Sequence, residues 1–211
     1  PGGNAVLAAE KINSAGGNAR AIECDVSDFE ETKQMVERII DELGGVHVLI
    51  NNAGFLTMGL PWEITEKQWD EGINVCLKGT WNCTRHVLEP MKDNGWGCIV
   101  NCSSISALGT AEAPVYGAAK AGVHAITKSF AREYGPKVRV NCIMPGPFLT
   151  DISKAWDMNE FNAKAETDIA LQRGGEADEI VGAALYFASA ASSYTTGAIL
   201  KVDGGAGWAA G

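Results

Sequence analysis

Helix-like and strand-like segments alternate along this chain, and that alternation constrains its fold more than any other feature. Short apolar stretches such as Val46 to Ile50, typical of strands buried on both faces, take turns with helix patterns. Such alternation predicts an α/β fold, with a parallel sheet flanked by helices. The predicted strands are Ala19 to Cys24, Val46 to Ile50, Cys98 to Cys102, Val138 to Met144 and Ala198 to Val202. The predicted helices are Ala5 to Ala15, Asp28 to Leu43, Thr65 to about Met91, Ala113 to Tyr134 and Asp178 to Ala190.

Length, charge and cysteine usage narrow the functional classes. The 211 residues, 46% hydrophobic and 20% charged, suit a single domain over 1–211. The net charge of -9 and the scattered basic residues argue against nucleic acid as a partner, and no apolar run approaches the roughly 20 residues of a membrane span. The six cysteines form no CxxC pair and lie mostly in apolar runs, so we expect reduced thiols and a cytoplasmic protein. The three histidines lack ligand spacing, and no metal site is predicted.

The stretch from Phe148 to Gly175 interrupts the alternation. It carries Trp156, Met158 and Phe161 among polar residues with little periodicity. Long insertions in compact domains are often active-site lids, so we predict a substrate lid over residues 148–175. The alternative is an ordinary surface excursion.

Tyr116 and Lys120, in Tyr-Gly-Ala-Ala-Lys, lie four residues apart on a predicted helix and therefore share one face. A free phenol has a pKa of about 10, so it is a poor base near neutrality until a nearby positive charge favours the phenolate. Lys120 would supply that charge, which makes Tyr116 a candidate proton donor or acceptor. The spacing alone also fits a half-buried tyrosine beside a solvated lysine, and the neighbouring motifs decide between the two readings.

Several further motifs follow predicted strands, at the sheet edge where ligands of such folds bind. Ser104 follows the strand that ends at Cys102 and could hold a substrate oxygen while Tyr116 moves the proton. Asn51-Asn52-Ala53-Gly54 follows another buried strand, and its glycine permits a close approach of a ligand. Pro145-Gly146, with Thr150 close behind, forms a rigid corner with a hydroxyl. Each motif taken alone also fits an ordinary turn.

Asp25-Val26 follows the predicted strand that ends at Cys24. This pair could bind an adenine amino group, although Asp-Val-Ser-Asp is equally a helix-capping sequence. We expect Asp28 to be the N-cap residue, with Glu31 at the third helical position.

The order and spacing of these motifs, over almost the whole chain, resemble the short-chain dehydrogenase/reductase family. The resemblance implies a Rossmann-type doubly wound parallel sheet and a nicotinamide cofactor, NAD or NADP. It implies the family's catalytic residues at Asn74, Ser104, Tyr116 and Lys120. The cofactor-binding positions that it implies are Asp25, Val26, Asn52, Ala53, Gly54, Tyr116, Lys120, Pro145, Gly146 and Thr150. The closing Val202-Asp203-Gly204-Gly205 is also characteristic of the family.

Individual roles follow from the same resemblance. Asp25 is expected to contact adenine, and the segment Asn51 to Gly54 to support the central sheet and the adenosine side of the cofactor. Pro145, Gly146 and Thr150 are expected to hold the nicotinamide carboxamide. Lys120 is expected to bind the nicotinamide ribose, and Asn74 to order a water molecule in the proton path.

The chain departs from the family pattern in two places. Family members usually have one more residue between the catalytic serine and tyrosine, so counting back from Tyr116 would choose Ser103. We prefer Ser104, because the strand-end motif sets its register and a surface loop can absorb a deletion. The family's glycine-rich phosphate loop is also absent, together with a strand-helix-strand segment of roughly 30 residues. We therefore expect an N-terminally incomplete sequence of a longer enzyme, whose NAD or NADP preference is set outside this chain.

The expected reaction is reversible hydride transfer between a nicotinamide ring and a carbon bearing a hydroxyl or carbonyl group. The substrate would be a small-molecule secondary alcohol or ketone, either a 3-oxoacyl thioester or a sugar or polyol. The alternative is a catalytically silent member of the family with a binding or regulatory role. Family members commonly assemble through their two long helices, so we also expect a homo-oligomer, a tetramer or dimer.

Overall fold

The protein is described here from a computed structural model, which covers residues 2–111 and 113–206. The helices are α1 (Gly2–Ser14), α2 (Phe29–Leu43), α3 (Glu66–Ile73), α4 (Gly79–Asp93), α5 (Pro114–Tyr134), α6 (Met158–Asp168) and α7 (Val181–Ala188). The strands are β1 (Val48–Asn51), β2 (Gly97–Cys102), β3 (Val138–Pro145), β4 (Phe148–Leu149), β5 (Gly175–Glu176) and β6 (Ile199–Val202). Short 3-10 turns cover Ile105–Leu108, Asp151–Ala155, Ala177–Ile180 and Ala190–Ser192.

The main sheet is parallel and four-stranded in the order β1-β2-β3-β6. Its register pairs Asn51 with Asn101, and Asn101 with Cys142. The carboxyl ends of β2 and β3 therefore meet at one edge of the sheet, where ligands of such folds bind. This arrangement confirms the predicted α/β fold.

Helices cover both faces of the sheet because neighbouring strand residues point to opposite sides. Ile99 and Val140 face α2, α4 and α5, where they join a cluster with Val36, Val87 and Met91. On the opposite face Cys98, Val100 and Ile143 pack against Phe187 of α7. The two clusters explain why the central strands read as continuous apolar runs.

Helix α2 begins as the sequence predicts. The Asp28 carboxylate accepts a hydrogen bond from the Glu31 amide at 2.9 Å, so Asp28 is the N-cap residue. The Glu31 carboxylate does not return to Asp28. It accepts instead from the Asp25 amide at 2.8 Å, which ties the preceding loop to the helix.

The predicted helix from Thr65 to about Met91 is divided into two helices. Thr65 caps α3, and a π-helical turn at Asn74–Lys78 then leads directly into α4. The Gly79 amide donates to the Asn74 carbonyl, five residues back. Single π turns of this kind are frequent at functional sites, and an apolar pattern does not reveal them.

The predicted strand from Ala19 to Cys24 is wrong, because the structure assigns no strand to these residues. A strand exists only where a neighbour completes its hydrogen-bond ladder, and in the described sheet β1 pairs with β2 alone. Side chains hold this segment instead. The Ala19 amide donates to the Asn13 side chain at 2.7 Å, and Arg20 forms an ion pair with Glu42.

The segment 148–175, predicted as a lid without regular structure, contains helix α6. Strands β4 and β5 pair at its base, where Phe148 lies opposite Gly175. Ala165 of α6 is buried with Ile105 and Met144 near the carboxyl end of β3. The sequence shows no clear apolar stripe here because Ala165 is the one residue that the helix fully buries. Among the described residues no helix is long and apolar enough to cross a membrane.

Candidate active site

One cavity of about 530 Å³ lies at the carboxyl edge of the sheet, beside the first turns of α5. Its volume falls within the range of small-molecule and cofactor sites. The residues that line it and that the sequence singled out are Asn52, Gly54, Ser103, Ser104, Tyr116, Lys120, Pro145, Gly146, Thr150 and Trp156. The parallel sheet and α5 thus bring together motifs that are almost 100 residues apart in the chain.

Tyr116 lies in the cavity wall, because it is the third residue of α5, two residues after Pro114. The pKa of Tyr116 is raised to about 12, chiefly by burial and then by nearby Cys76 and Cys102, whereas a hydrogen bond with the Ser104 hydroxyl acts in the lowering direction. The Ser104 oxygen accepts from the Ser106 amide at 3.1 Å, so its own proton remains available for Tyr116 or a ligand. The Tyr116 and Ser104 hydroxyls therefore lie close enough to hydrogen-bond to the same oxygen atom of a ligand.

Lys120 is almost fully buried, with 2% of its surface exposed. Its ammonium donates to the Cys102 carbonyl at 2.7 Å and lies 5.6 Å from the centre of the Tyr116 ring. The sequence predicts that Lys120 lowers the pKa of Tyr116, and that effect stays a prediction, because the net pKa of Tyr116 is raised by burial. Desolvation of the phenol is the dominant effect, and the ammonium lies over the ring while donating to a carbonyl elsewhere.

Ser103 and Ser104 differ in what their hydroxyls do. The Ser103 hydroxyl donates to the Lys120 carbonyl at 3.2 Å and lies 2.7 Å from the His124 ring nitrogen Nε2. Ser103 is only 3% exposed, so its oxygen is engaged by the protein itself. The geometry therefore favours Ser104 as the serine that meets a substrate. His124, one turn after Lys120, carried no signal that the sequence argument used.

Asn74 lies outside the residues that line the cavity. It begins the π-helical turn before α4, and its amide donates to the carbonyls of Asp70 and Glu71. In a π-helical turn the backbone hydrogen bonds join residues five apart instead of four, so the regular α-helical pairing is interrupted there. The structure thus places Asn74 at an irregular turn between α3 and α4, and its catalytic role stays a prediction.

Residues expected to hold a nicotinamide cofactor line the same cavity as Tyr116. Gly54 leaves room for a cofactor beside Lys120, because a Cβ atom at residue 54 would lie 3.7 Å from the Lys120 ammonium and occupy part of that space. Gly146 follows β3 and donates its amide to the Val202 carbonyl at 2.9 Å, which brings the Pro145-Gly146 corner beside Asp203. The Lys120 ammonium, which uses one of its donors on the Cys102 carbonyl, would together with Gly54 and the Thr150 hydroxyl suit a polar ribose and carboxamide.

The adenine-side residues lie outside this cavity. The Asp25 carboxylate accepts from the Ser27 amide at 2.9 Å and from its hydroxyl at 2.8 Å, which closes a tight turn. Val26 is fixed by two contacts. The Asn82 side chain donates a hydrogen bond to the Val26 carbonyl at 3.0 Å. The Val26 side chain also packs so closely on Gly79 that a Cβ atom at residue 79 would lie 2.7 Å from it. Ala53 is exposed and does not line the cavity.

A buried row of polar side chains supports the strands beneath the site. Asn51 donates to Asn101 at 2.9 Å and to Thr84 at 3.0 Å, and Asn101 donates to Thr127 at 2.9 Å. Sequence reasoning used Asn51 but missed the other three residues. The available signal was an asparagine at the paired positions of two adjacent apolar strands, Asn51 and Asn101. A buried asparagine in an apolar strand needs a hydrogen-bond partner, so each one indicates another polar side chain beside it.

Beside the polar Ser106 and Thr110, much of the remaining cavity wall is apolar and comes from four separate parts of the chain. Those residues are Phe55, Leu56, Met58, Ile105, Phe148, Trp156 and Ile180. Trp156 also contacts Phe161 of α6, with ring centres 5.0 Å apart. The sequence singled out only Trp156 among them, because apolar residues outside a periodic segment cannot be distinguished from ordinary core residues without the fold.

A family model described as enoyl-(acyl carrier protein) reductase matches residues 4–207. Nodulation protein G of Azospirillum brasilense is 42% identical over 186 residues, which cover 87% of this chain and 75% of that protein. The 3-oxoacyl-[acyl-carrier-protein] reductase FabG of Staphylococcus aureus is 34% identical over 198 residues, covering 93% of this chain and 80% of that protein.

A solved structure of a putative short-chain alcohol dehydrogenase from Sinorhizobium meliloti superposes with a TM-score of 0.92 at 30% identity, over 97% of this chain and 82% of the other. The chain belongs to the short-chain dehydrogenase/reductase family. A second structure of similar fold is a gluconate 5-dehydrogenase from Burkholderia cenocepacia in complex with NADP and tartrate. Its TM-score is 0.91 at 28% identity, over 95% of this chain and 80% of the other. This short-chain dehydrogenase/reductase is therefore an NAD(P)-dependent oxidoreductase that acts on CH–OH or C=O groups.

Proposed function

We propose that this enzyme reduces the ketone of apolar substrates of the 3-oxoacyl class, with Tyr116 as the proton donor. The observation that carries the proposal is the composition of the single cavity that Tyr116, Ser104 and Lys120 line. Beyond these three residues and the cofactor side, most of its wall is made of aromatic and aliphatic side chains, and Ser103, Ser106 and Thr110 are the further hydroxyl residues there. An apolar wall with a few convergent polar groups suits a largely apolar ligand.

Charge in the cavity argues against a sugar acid as the main substrate. Among the described lining residues there is no arginine, histidine or carboxylate, and the Lys120 ammonium is already bonded to the Cys102 carbonyl. A carboxylate brought into such a site would lose its hydration, and its one cationic partner among the described lining residues would be the buried Lys120 ammonium, which this proposal assigns to the cofactor ribose. A 3-oxoacyl chain avoids that cost because its carbonyl groups are neutral.

Tyr116 and Ser104 act together on the substrate carbonyl. Ser104 donates a hydrogen bond to the carbonyl oxygen and orients it towards the Tyr116 hydroxyl. The raised pKa of Tyr116, about 12, keeps the phenol protonated at neutral pH, so the proton is present before the substrate binds. When the oxygen gains negative charge, Tyr116 donates this proton and the alcohol forms.

Lys120 and the strand-end motifs hold the cofactor. Lys120 would bind the nicotinamide ribose, while Pro145, Gly146 and Thr150 would hold the carboxamide and Asn52 and Gly54 the adenosine side. NADH or NADPH supplies the hydride to the carbonyl carbon. During proton donation the buried Lys120 ammonium stabilises the developing phenolate of Tyr116, because opposite charges attract strongly where water is excluded.

The remaining assignments complete this proposal. Asp25 and Val26 would contact adenine, and Ala53 would belong to the same cofactor side. Asn74, in the π-helical turn, would bind a water molecule that returns a proton towards Tyr116. Residues 148–175 would close over the substrate as a lid, since β4 begins this segment with Phe148 in the cavity wall. The enzyme would be a cytoplasmic homo-oligomer, a tetramer or dimer assembled through α3–α4 and α5.

The test compares the full-length protein with NADPH and NADH on two substrate sets. One set is ethyl acetoacetate and an acetoacetyl thioester, and the other is 5-ketogluconate in reduction and gluconate in oxidation. We expect turnover of the 3-oxo compounds with at least one cofactor and much lower turnover of the sugar acids. Preferred turnover of gluconate would contradict the proposed substrate class while leaving the family assignment intact.

A further inference from the structure

Three residues of α5 contact the end of β2 from one row along the helix. Tyr116, Lys120 and His124 are spaced four residues apart, so they share one face of α5. The first two belong to the site described above. His124 continues the row, and its ring nitrogen Nε2 lies 2.7 Å from the hydroxyl oxygen of Ser103. The third member of the row therefore contacts the serine that the proposed mechanism does not use.

Lys120 and the strand end are joined by two hydrogen bonds that run in opposite directions. The Lys120 ammonium donates to the Cys102 carbonyl at 2.7 Å, and the Ser103 hydroxyl donates to the Lys120 carbonyl at 3.2 Å. The Ser103 amide also donates to the Ile143 carbonyl at 2.8 Å, which holds the same peptide group in the sheet. The position of the ammonium thus depends on how the peptide between Cys102 and Ser103 is placed against α5.

The proton of the Ser103 hydroxyl determines what His124 must do. A serine hydroxyl has one proton, and a carbonyl only accepts hydrogen bonds. Ser103 can therefore bond to the Lys120 carbonyl and to His124 at the same time only if His124 Nε2 carries a proton and donates to the Ser103 oxygen. Burial lowers the pKa of His124 and the charge of Lys128 lowers it further, which favours a neutral ring with one N–H at pH 7. His124 thus directs the Ser103 hydroxyl towards the backbone of α5.

We propose that His124 is a positioning residue for the nicotinamide cofactor, acting through Ser103 on the Lys120 ammonium. An ammonium has three donors and the Cys102 carbonyl takes one, so two remain for the hydroxyls of the ribose. Those two donors meet the ribose only while the strand end and α5 keep their spacing, which the Ser103 hydrogen bond maintains. The inference rests on the proposed cofactor role of Lys120 and does not depend on the substrate class.

The experiment measures cofactor binding by the full-length protein with substitutions at His124. His124→Leu keeps a side chain of similar size without a donor, whereas His124→Gln places an amide NH₂ near the position of Nε2. His86→Leu is the matched control, because His86 is a partly buried histidine of α4 that packs on Phe29 and does not line the cavity. Fluorescence titrations with NADPH and NADH give the dissociation constants, and steady-state reduction of ethyl acetoacetate gives kcat.

We expect His124→Leu to raise the dissociation constant of the preferred cofactor by about three- to tenfold, the effect of one lost hydrogen bond. His124→Gln and His86→Leu should both stay within about twofold of wild type. The kcat at saturating cofactor should change by less than about twofold in His124→Leu, because the Ser106 amide holds the Ser104 hydroxyl independently of His124. A general loss of structure would lower kcat as well, so this split between binding and kcat identifies a positioning role.

A double-mutant cycle tests whether His124 acts through Ser103. Ser103→Ala should weaken cofactor binding about as much as His124→Leu, and the double substitution should cause no further loss. Additive losses would overturn the inference, as would unchanged binding in His124→Leu or equal losses in the leucine and glutamine variants. If Lys120→Met leaves cofactor binding unchanged, the proposed role of Lys120 fails and this inference fails with it. If Lys120→Met weakens binding and His124→Leu does not, only the inference about His124 is wrong.

Discussion

The Tyr116 phenol should titrate far into the alkaline range, and this can be measured directly. Its pKa is raised from 10.0 to about 12, mainly because the phenolate would be desolvated. A raised pKa means that the native state holds its proton longer than the unfolded chain. The stability linked to Tyr116 is thus fully present below pH 10 and is lost as the pH rises towards 12. Between pH 9 and pH 11 the loss amounts to about 1.3 kcal/mol, at about 1.4 kcal/mol for each unit of pKa shift.

Two assays follow this titration, with Tyr116→Phe as the matched control. Tyrosinate absorbance at 295 nm is recorded against pH, and the difference between wild type and Tyr116→Phe isolates the one phenol. Urea unfolding at pH 9 and pH 11 then gives the free energy of unfolding of both proteins. We expect a difference midpoint near pH 12 and a larger alkaline loss in wild type by about 1.3 kcal/mol. A midpoint at or below pH 10 would refute the reasoning, because Lys120 would then govern the phenol as the sequence first suggested.

Three further substitutions test the site and its support. Lys120→Met should weaken NADPH or NADH binding by about 10- to 100-fold, because a charged hydrogen bond to the ribose is lost, and unchanged binding in a fluorescence titration would contradict its role. Ser104→Ala should lower kcat/KM by about 10²-fold, whereas Ser103→Ala should stay within about tenfold, and the reverse order in steady-state kinetics would transfer the catalytic role to Ser103. Asn101→Leu should lower the free energy of unfolding by about 2 kcal/mol in urea, since it leaves Asn51 and Thr127 with unpaired buried groups, and a neutral effect would show that the polar row contributes nothing.

The fold could be predicted where local pattern and long-range pairing agree. β2 and β3 are largely apolar, apart from Asn101, Arg139 and Asn141, because helices cover both faces, and the apolar runs locate them. The stretch from Ala19 to Cys24 has a strand-like sequence, but in the described sheet no neighbouring strand forms backbone hydrogen bonds with it. Local sequence cannot show whether a strand has a neighbour. Helix α6 was missed for the converse reason, since it buries too few side chains to produce a stripe.

The site could be predicted as far as motifs follow strands in order. Tyr116, Lys120, Ser104 and Pro145 line one cavity as their positions at the sheet edge and on α5 require. The apolar side chains of the cavity wall could not be predicted, because their significance depends on which loops meet in space. The direction of the Tyr116 pKa shift was also beyond sequence reasoning, since it depends on how far the fold buries the phenol.

The most direct test of the account is the turnover of Tyr116→Phe. The substitution removes only the phenolic oxygen and keeps the ring, so cofactor binding and the unfolding midpoint at neutral pH should remain close to wild type. Single-turnover reduction of ethyl acetoacetate by the full-length protein with bound NADPH or NADH would be followed by nicotinamide absorbance. We expect the rate to fall by about 10²- to 10⁴-fold, as for loss of a general acid. A rate within a factor of two of wild type would show that the proton comes from another group.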